Sequence, residues 1–252
     1  MVSQLELINP ANGEKFRELP YYNWDEAKSL LVKVGNAQKQ WKHNEISERI
    51  HLVKAAMDYF QDNKHSIAED ITQQMGKPIS QSMNEVMGMI HRAEVCCDLA
   101  EDALKDITLP EANGLRRFIK RESLGVILDI AAWNYPLLIA VNVVVPAVLA
   151  GNAVSIKHSS LTPLCGIAFE DAFKHVGAPD GLVTSLIMDH HTAEQVIQSG
   201  LIHHMAFTGS VASGRQVKAL AGNQFIETGL ELGGKDPAYI REDANLETTI
   251  PS

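Results

Sequence analysis

Cysteine is scarce in this sequence, and the 252 residues contain only Cys96, Cys97 and Cys165. The three make no C-x-x-C pair and no disulfide framework, a usage typical of proteins in a reducing compartment. Cys96 and Cys97 lie in a long helical pattern, and Cys165 lies just inside another helix. We therefore expect buried, unreactive thiols, and none of the three is predicted to act as a nucleophile.

Histidines and cysteines at the spacings typical of metal sites are missing as well. The ten histidines include the pairs His190-His191 and His203-His204, but no spacing is typical of a zinc site. We predict surface or loop positions for these four histidines and no bound metal.

Clusters of positive charge and long apolar runs are also lacking. The net charge of −9 and the pI of about 5.5 argue against binding to nucleic acid or to an anionic membrane, since both need clustered Lys and Arg. The local exception is a basic run within residues 116–121. Polar residues interrupt the apolar-rich stretch 125–150, so no membrane span is predicted. Because the N-terminus lacks a basic start and an apolar signal core, we expect a cytoplasmic protein.

The sequence does contain enough apolar residues, 45%, for a sizeable core and for about one to two domains. The first part, residues 1–106, begins with extended segments around a turn at residues 9–13. Helical patterns follow near residues 23–41, 45–61, 63–75 and 80–103. Asn23, with Glu26 three residues later, forms a capping-box pattern at the start of the first helix. We predict an all-helical layer for this part.

Two further parts begin near residue 107. Residues 107–124 predict extended segments, and their basic side chains suit a sheet edge or a contact with a partner. Residues 125–252 alternate strand and helix, which is typical of a doubly wound, parallel, Rossmann-like sheet. The predicted fold class is therefore α/β, with a helical layer and an extended segment suited to oligomerisation before the sheet.

Four polar clusters follow strands of the predicted sheet. Right-handed crossovers bring the carboxyl ends of parallel strands to one edge. The clusters that follow such ends are Trp133-Asn134-Tyr135, Lys157-His158-Ser159-Ser160, Thr208-Gly209-Ser210 and Glu231. We expect them to meet at that edge and to form a functional site.

The stretch 205–235 contains the most informative of these clusters. Gly209 and Gly214 let the chain turn tightly out of a strand, and Ser210 can cap the next helix, whose free N–H groups attract phosphate. Glu231 precedes two glycines that let a ligand approach, so its carboxylate is expected at the lip of a cleft. A second interpretation stays open from spacing alone: the glycines are ordinary turn and packing residues, and Glu231 is a solvated surface charge.

A set of motifs occurs in a fixed order along the chain. It consists of Asn9-Pro10-Ala11-Asn12-Gly13-Glu14, Gly76-Lys77-Pro78, Ala132-Trp133-Asn134-Tyr135-Pro136-Leu137, Ala150-Gly151-Asn152-Ala153, Lys157, Thr162-Pro163, Gly177-Ala178-Pro179-Asp180-Gly181, Phe207-Thr208-Gly209-Ser210 and Glu231-Leu232-Gly233-Gly234-Lys235. These motifs resemble those of the NAD(P)-dependent aldehyde dehydrogenases, and the resemblance runs from near residue 9 to the last residues. It implies NAD or NADP as the cofactor and an aldehyde as the substrate.

The resemblance implies two catalytic residues. Asn134 corresponds to the side-chain amide of the oxyanion hole, which stabilises charge on the aldehyde oxygen. Glu231 corresponds to the general base that activates the deacylating water. In the family's complete reaction a thiolate attacks the aldehyde, hydride passes to the cofactor, and water hydrolyses the acyl-enzyme.

The resemblance also implies a cofactor site and a substrate channel. Lys157 would bind the adenosine ribose or a 2′-phosphate on it, and Ser210, with the helix that follows, would meet the pyrophosphate. The other cofactor-binding residues implied are Trp133, Ser160, Gly209, Gly214, Leu232 and Gly233. Tyr135 and Leu138 would line the aldehyde channel, although both could equally be core residues.

Three departures from the family pattern change what is expected. The family's Lys-Pro-Ser-Glu loop corresponds to Lys157-His158-Ser159-Ser160 here, so Ser160 replaces the glutamate. In the family that glutamate binds both ribose hydroxyls and repels a 2′-phosphate, so its absence makes NADP as plausible as NAD. Val143 stands where many members have a lysine linked to proton removal. The nucleophilic cysteine, which follows the Glu231 motif in a Gly-Gln-x-Cys context in the family, has no counterpart in this sequence.

We therefore expect the N-terminal, cofactor-binding half of a longer enzyme, with the catalytic domain absent and no turnover by this chain alone. The expected partners are a small-molecule aldehyde in the full-length enzyme and either a second copy, in a homo-oligomer, or the missing C-terminal half. Two alternatives stay open. One is a catalytically silent NAD(P)-binding or oligomerising module, and the other is a structural fragment with a bare apolar interface.

Overall fold

The computed structural model describes residues 4–250. Its strands are β1 (Gln4–Ile8), β2 (Lys15–Pro20), β3 (Ile107–Ala112), β4 (Leu115–Ile119), β5 (Val126–Ala131), β6 (Ala153–His158), β7 (Val183–Ser185), β8 (His204–Gly209) and β9 (Glu227–Leu232). Its helices are α1 (Trp24–Trp41), α2 (Ile46–Asp62), α3 (Lys64–Met75), α4 (Ile79–Leu104), α5 (Pro136–Leu149), α6 (Pro163–His175), α7 (His190–Gln198), α8 (Val211–Gly222) and α9 (Leu246–Thr249). None of the helices in this part of the chain is long and apolar enough to cross a bilayer.

The N-terminal hairpin and the first helices follow their local signals. Asn9 turns the chain between β1 and β2, and its side-chain oxygen accepts a hydrogen bond from the Ala11 amide at 2.9 Å. At the start of α1, the Asn23 side chain accepts from the Glu26 amide at 3.1 Å and the Glu26 carboxylate accepts from the Asn23 amide at 2.9 Å. The predicted capping box is therefore confirmed. Helix α3 ends at Gly76, whose φ of 78° is the left-handed conformation favoured after a helix.

Strands β3 and β4 form an antiparallel hairpin that is separate from the central sheet. Its two-residue turn is Asn113 and Gly114, with φ angles of 56° and 73°, as a tight hairpin turn requires. Every residue of β4 is exposed, including Phe118. The predicted extended segments are confirmed, although β4 ends at Ile119, before the end of the predicted range at residue 124.

The central sheet has five parallel strands in the order β7-β6-β5-β8-β9. This order confirms the predicted doubly wound α/β class. The first strand of the sheet, β5, has β6 on one side and β8 on the other, so the winding reverses between β5 and β8. Open sheets of this kind bind ligands beside the carboxyl ends of the strands at such a reversal.

Helices cover the sheet on both faces. Helices α5 and α6 pack against β5, β6 and β7, whereas α8 packs against β8 and β9 and also contacts α7. One cluster of buried side chains runs from the helical layer into the sheet and includes Phe60, Val86 and Leu128. The division of the chain at residues 106 and 124 stays a prediction.

Candidate active site

A cleft of about 1070 Å³ lies at the carboxyl edge of the sheet. Its walls are the loops after β5, β6, β8 and β9 together with α7 and α8. The volume is at the upper end of the range for small-molecule sites. The predicted site residues that line it are Trp133, Asn134, Lys157, Ser160, Gly209, Ser210, Glu231, Leu232 and Gly233. The four polar clusters thus meet at one edge, as expected.

Lys157 places a nearly buried ammonium at the wall of this cleft. Only 8% of the residue is exposed, and within residues 4–250 its ammonium group makes no hydrogen bond or ion pair. Burial lowers the pKa of Lys157, and the negative charge of Asp189 partly opposes that effect. Because a buried charge without a partner costs free energy, a bound anion would stabilise this lysine.

The N-terminus of α8 lies at the same cleft. Ser210 is its N-cap, with extended backbone, and its hydroxyl oxygen accepts from the Ser213 amide at 3.1 Å. The predicted cap is therefore confirmed. The helix dipole and the first-turn N–H groups that remain favour an anion here.

Two glycines allow close packing beneath the cleft. A Cβ atom on Gly209 would lie 2.8 Å from Cζ of Phe207, and one on Gly214 would lie 2.5 Å from Cδ2 of Leu232. Both separations are shorter than real Cβ contacts. Gly214 does not line the cleft, so its contribution is to let α8 approach the end of β9.

Asn134 lies in the turn between β5 and α5. Its carbonyl oxygen accepts a hydrogen bond from Nζ of Lys77 at 2.8 Å, whereas no residue in the described part of the chain bonds to its exposed side-chain amide. Tyr135 and Leu138 do not line the cleft. The centroid of the Tyr135 ring lies 3.9 Å from Nζ of Lys77, and Leu138 packs partly buried against the core. Their role in a substrate channel stays a prediction.

Glu231 occupies the cleft side of β9, opposite Thr208 in the β8–β9 register. The residue is exposed, and among residues 4–250 its carboxylate has no hydrogen-bond or ion-pair partner. Both oxygens can therefore accept a proton or a hydrogen bond from a small molecule.

Two titratable residues close to the cleft, His158 and Asp129, are buried, which the sequence analysis did not predict. Nε2 of His158 donates to the Pro136 carbonyl at 3.0 Å, and burial lowers the pKa of His158 to about 4, so the ring is neutral at pH 7. Asp129 lies in the middle of β5 with no exposed surface. Neither of its carboxylate oxygens has a partner within residues 4–250, and burial raises the pKa of Asp129 well above its usual range.

The cleft is also lined by polar residues that were not predicted as site residues, including Asp189, His190 and Glu194. Asp189 caps α7, because its carboxylate accepts from the Thr192 amide at 2.8 Å. The helix therefore begins at His190, whereas the sequence pattern predicts a start near Thr192. An aspartate just before a helical pattern is the signal that could have located this start.

None of the three cysteines lines the cleft. Cys97 and Cys165 are buried, as predicted, whereas Cys96 is partly exposed and corrects that prediction. Burial raises the pKa of Cys96, raises that of Cys97 to about 11, and raises that of Cys165 well above its usual range. Because a thiolate is the reactive form, these thiols are poor nucleophiles.

The paired histidines show one further difference. His190, His191 and His203 are exposed, but His204 is partly buried in β8, so its predicted surface position was wrong. Within the described residues, no group of three or more His, Cys, Asp and Glu side chains could hold a metal ion.

Residues 2–252 match the model of the Aldehyde dehydrogenase family. The chain is 30% identical over 243 residues to an NADP(+) succinate-semialdehyde dehydrogenase of Deinococcus radiodurans, an alignment that covers 96% of this chain and 51% of the relative. It is 32% identical over 244 residues to an NAD(P)+ succinate semialdehyde dehydrogenase of Escherichia coli, covering 96% and 52%. Among solved structures, succinic semialdehyde dehydrogenase from Streptococcus pyogenes in complex with NADP+ superposes with a TM-score of 0.89 at 26% identity, covering 96% and 53%. The chain therefore spans about half the length of the curated relatives it matches.

Proposed function

The chain belongs to the aldehyde dehydrogenase family, and from that premise we propose that it supplies the cofactor-binding half of an enzyme that oxidises an aldehyde to a carboxylic acid with NADP or NAD. The observation that carries this proposal is the pairing of Lys157 with the N-terminus of α8 in one cleft. Both features favour anions, and a dinucleotide brings phosphate groups to such a site.

The residues present fit such a cofactor. The ammonium of Lys157 has no partner among residues 4–250 and would receive the adenosine ribose or its 2′-phosphate, while the α8 N-terminus after Ser210 would receive the pyrophosphate. A small residue at position 160 leaves room for a 2′-phosphate and brings no carboxylate to repel it. Trp133, Leu232 and Gly233 would complete the wall. A bound nicotinamide supplies the acceptor for hydride.

We assign the oxyanion role to Asn134. Its side-chain amide is exposed at the cleft without a partner in the described chain, so its N–H group can donate to the oxygen of an aldehyde. Negative charge develops on that oxygen during nucleophilic attack. Losing one donor of this kind typically costs about 2.7–4 kcal/mol of transition-state stabilisation.

We assign proton removal to Glu231. Its carboxylate is exposed at the lip of the cleft without a partner among residues 4–250, and it can take a proton from a water molecule that attacks an acyl group. The attacking thiolate has no candidate here, because the three cysteines lie away from the cleft and their pKa values are raised. We therefore propose that the chain binds the cofactor but does not turn over by itself.

Calorimetric titration of the purified chain with NADP, and separately with NAD, tests the cofactor site. We expect saturable binding of both, with tighter binding of NADP because of Ser160. A chain that is folded by circular dichroism and binds neither would refute the proposed cofactor site. Steady reduction of NADP with succinate semialdehyde, the aldehyde in the relatives' names, would refute the proposed lack of turnover.

The hairpin of β3 and β4 is our candidate for self-association. It exposes apolar side chains on a strand that is not part of the central sheet, including Leu115 at 65% and Phe118 at 50%. Burying such side chains between copies would stabilise an oligomer. Replacing Phe118 by Ser should lower the mass measured by light scattering, and an unchanged mass would exclude this contact.

A further inference from the structure

A buried ion pair lies behind the turn that contains Asn134. Lys77 follows the left-handed Gly76 that ends α3, and Glu85 lies on α4; their side chains are 6% and 1% exposed and form a short salt bridge. Taking two charges out of water costs as much as their attraction returns in many proteins, so a buried pair is weak evidence for stability alone. The contacts that the two side chains make elsewhere indicate what else the pair does.

Both members bond to the backbone around Asn134. Nζ of Lys77 donates to the Asn134 carbonyl at 2.8 Å and lies 3.9 Å from the centroid of the Tyr135 ring. Oε1 of Glu85 accepts from the amides of Leu137 and Leu138 at 2.9 and 3.3 Å. Those amides belong to the first turn of α5, and the residue at the N-cap position of α5 makes no side-chain cap. Glu85 therefore takes the place of a local cap and complements the helix dipole.

The same turn is held from a third side. Nε2 of His158 donates to the Pro136 carbonyl at 3.0 Å. The backbone from Asn134 to Leu138 is thus bonded to α4, to β6 and to the segment after α3. Only the side-chain amide of Asn134 is left exposed at the cleft without a partner in the described chain.

We propose that Lys77 and Glu85 are positioning residues that hold Asn134 with its amide ready to donate to the aldehyde oxygen. This inference rests on the proposed function for the role of Asn134. Fixing a donor before the reaction avoids the cost of ordering it during the reaction. The ion pair acts through the backbone and does not touch the cleft.

The test compares three variants by amide hydrogen exchange and by the NMR signal of the Asn134 side-chain amide. The variants are Lys77→Met, Glu85→Gln and the double variant. Glu85→Gln should speed exchange at Leu137 and Leu138 by about tenfold, because the oxygen that accepts from these two amides loses its charge. Lys77→Met should shift the Asn134 signal, because it removes the donor to the Asn134 carbonyl. Lys54→Met is the matched control, because Lys54 makes an exposed pair with Asp98 at 3.6 Å, and it should change neither readout.

The double variant separates positioning from stability. It leaves no buried unpaired charge, so its thermal midpoint should recover towards the wild-type value. The Asn134 signal should stay shifted, because nothing replaces the donor to its carbonyl. Recovery of the Asn134 signal together with the midpoint, or no change in Lys77→Met, would overturn the proposal. The Asn134 signal is measured without ligand, so it tests the positioning role independently of the cofactor site. A wild-type chain that does not bind NADP would refute the cofactor site and leave this test unaffected. If Lys77→Met does not fold, the double variant alone decides.

Discussion

The clearest quantitative consequence of the structure concerns Asp129. Its side chain is fully buried in the central strand β5, between Ile156 and Ala206 of the neighbouring strands, and neither carboxylate oxygen has a partner within residues 4–250. Desolvation raises the pKa of this carboxyl well above 3.8. In the unfolded chain, Asp129 loses its proton near pH 3.9, as an ordinary aspartate does.

Between these two pKa values the folded chain binds one more proton than the unfolded chain. The contribution of Asp129 to the free energy of unfolding should therefore fall by about 1.4 kcal/mol for each pH unit above about pH 4, until the pKa of the folded state is reached. Asp129→Asn keeps the shape of the side chain and removes its titration. The advantage of the variant over the wild type should consequently grow with pH at that slope.

Urea unfolding at about pH 5, 6, 7 and 8 measures this difference, provided that the transition is two-state at each pH. Subtracting the wild-type curve from that of the variant cancels the other titrating groups. Asp98→Asn is the control, because Asp98 is exposed, and its curve should stay close to that of the wild type. A constant difference between Asp129→Asn and the wild type across this range would show that the folded chain does not hold the extra proton.

Two further predictions concern the cleft. Lys157→Met should weaken NADP binding by about 10- to 100-fold, the value of a lost charge-assisted hydrogen bond. It should not lower the free energy of unfolding at pH 7, because burial of the ammonium opposes folding. Equal NADP affinities of the variant and the wild type in calorimetry would exclude Lys157 from the site. Gly214→Ala would place its Cβ 2.5 Å from Cδ2 of Leu232. Because Leu232 is 39% exposed, its side chain can move, and the free energy of unfolding should fall by less than about 1 kcal/mol. NADP affinity should fall, because Leu232 lines the cleft. Unchanged affinity with a larger loss of stability would show that the backbone shifted instead of Leu232.

Local signals explain why much of the fold could be predicted. The capping box at Asn23 and the cap at Ser210 involve residues three apart in sequence, and strand–helix alternation after residue 125 needs no knowledge of distant contacts. The turn of Asn113 and Gly114 had a local signal too, because Asn-Gly between extended segments is typical of a tight hairpin.

The features that were missed depend on contacts between distant parts of the chain. Lys77 and Asn134 are 57 residues apart in sequence, so the Gly76-Lys77-Pro78 motif alone does not show which turn the lysine holds. Asp129 is a charged residue within an otherwise apolar strand. If one face of that strand were exposed, Asp129 would be expected to point into solvent. Its burial follows only from strands on both sides of β5 and a helix over them.

Strand β9 is the last strand on its side of the sheet, so within residues 4–250 one row of its backbone N–H and C=O groups has no neighbouring strand. Such an edge can recruit a strand from another molecule, and charged side chains discourage that pairing. Glu227 and Glu231 are exposed on the same face of β9. The carboxylate assigned to proton removal would therefore also keep copies of the chain from joining edge to edge. Glu231→Gln removes one of these two charges. Light scattering should therefore detect aggregates of the variant at a lower concentration than aggregates of the wild type.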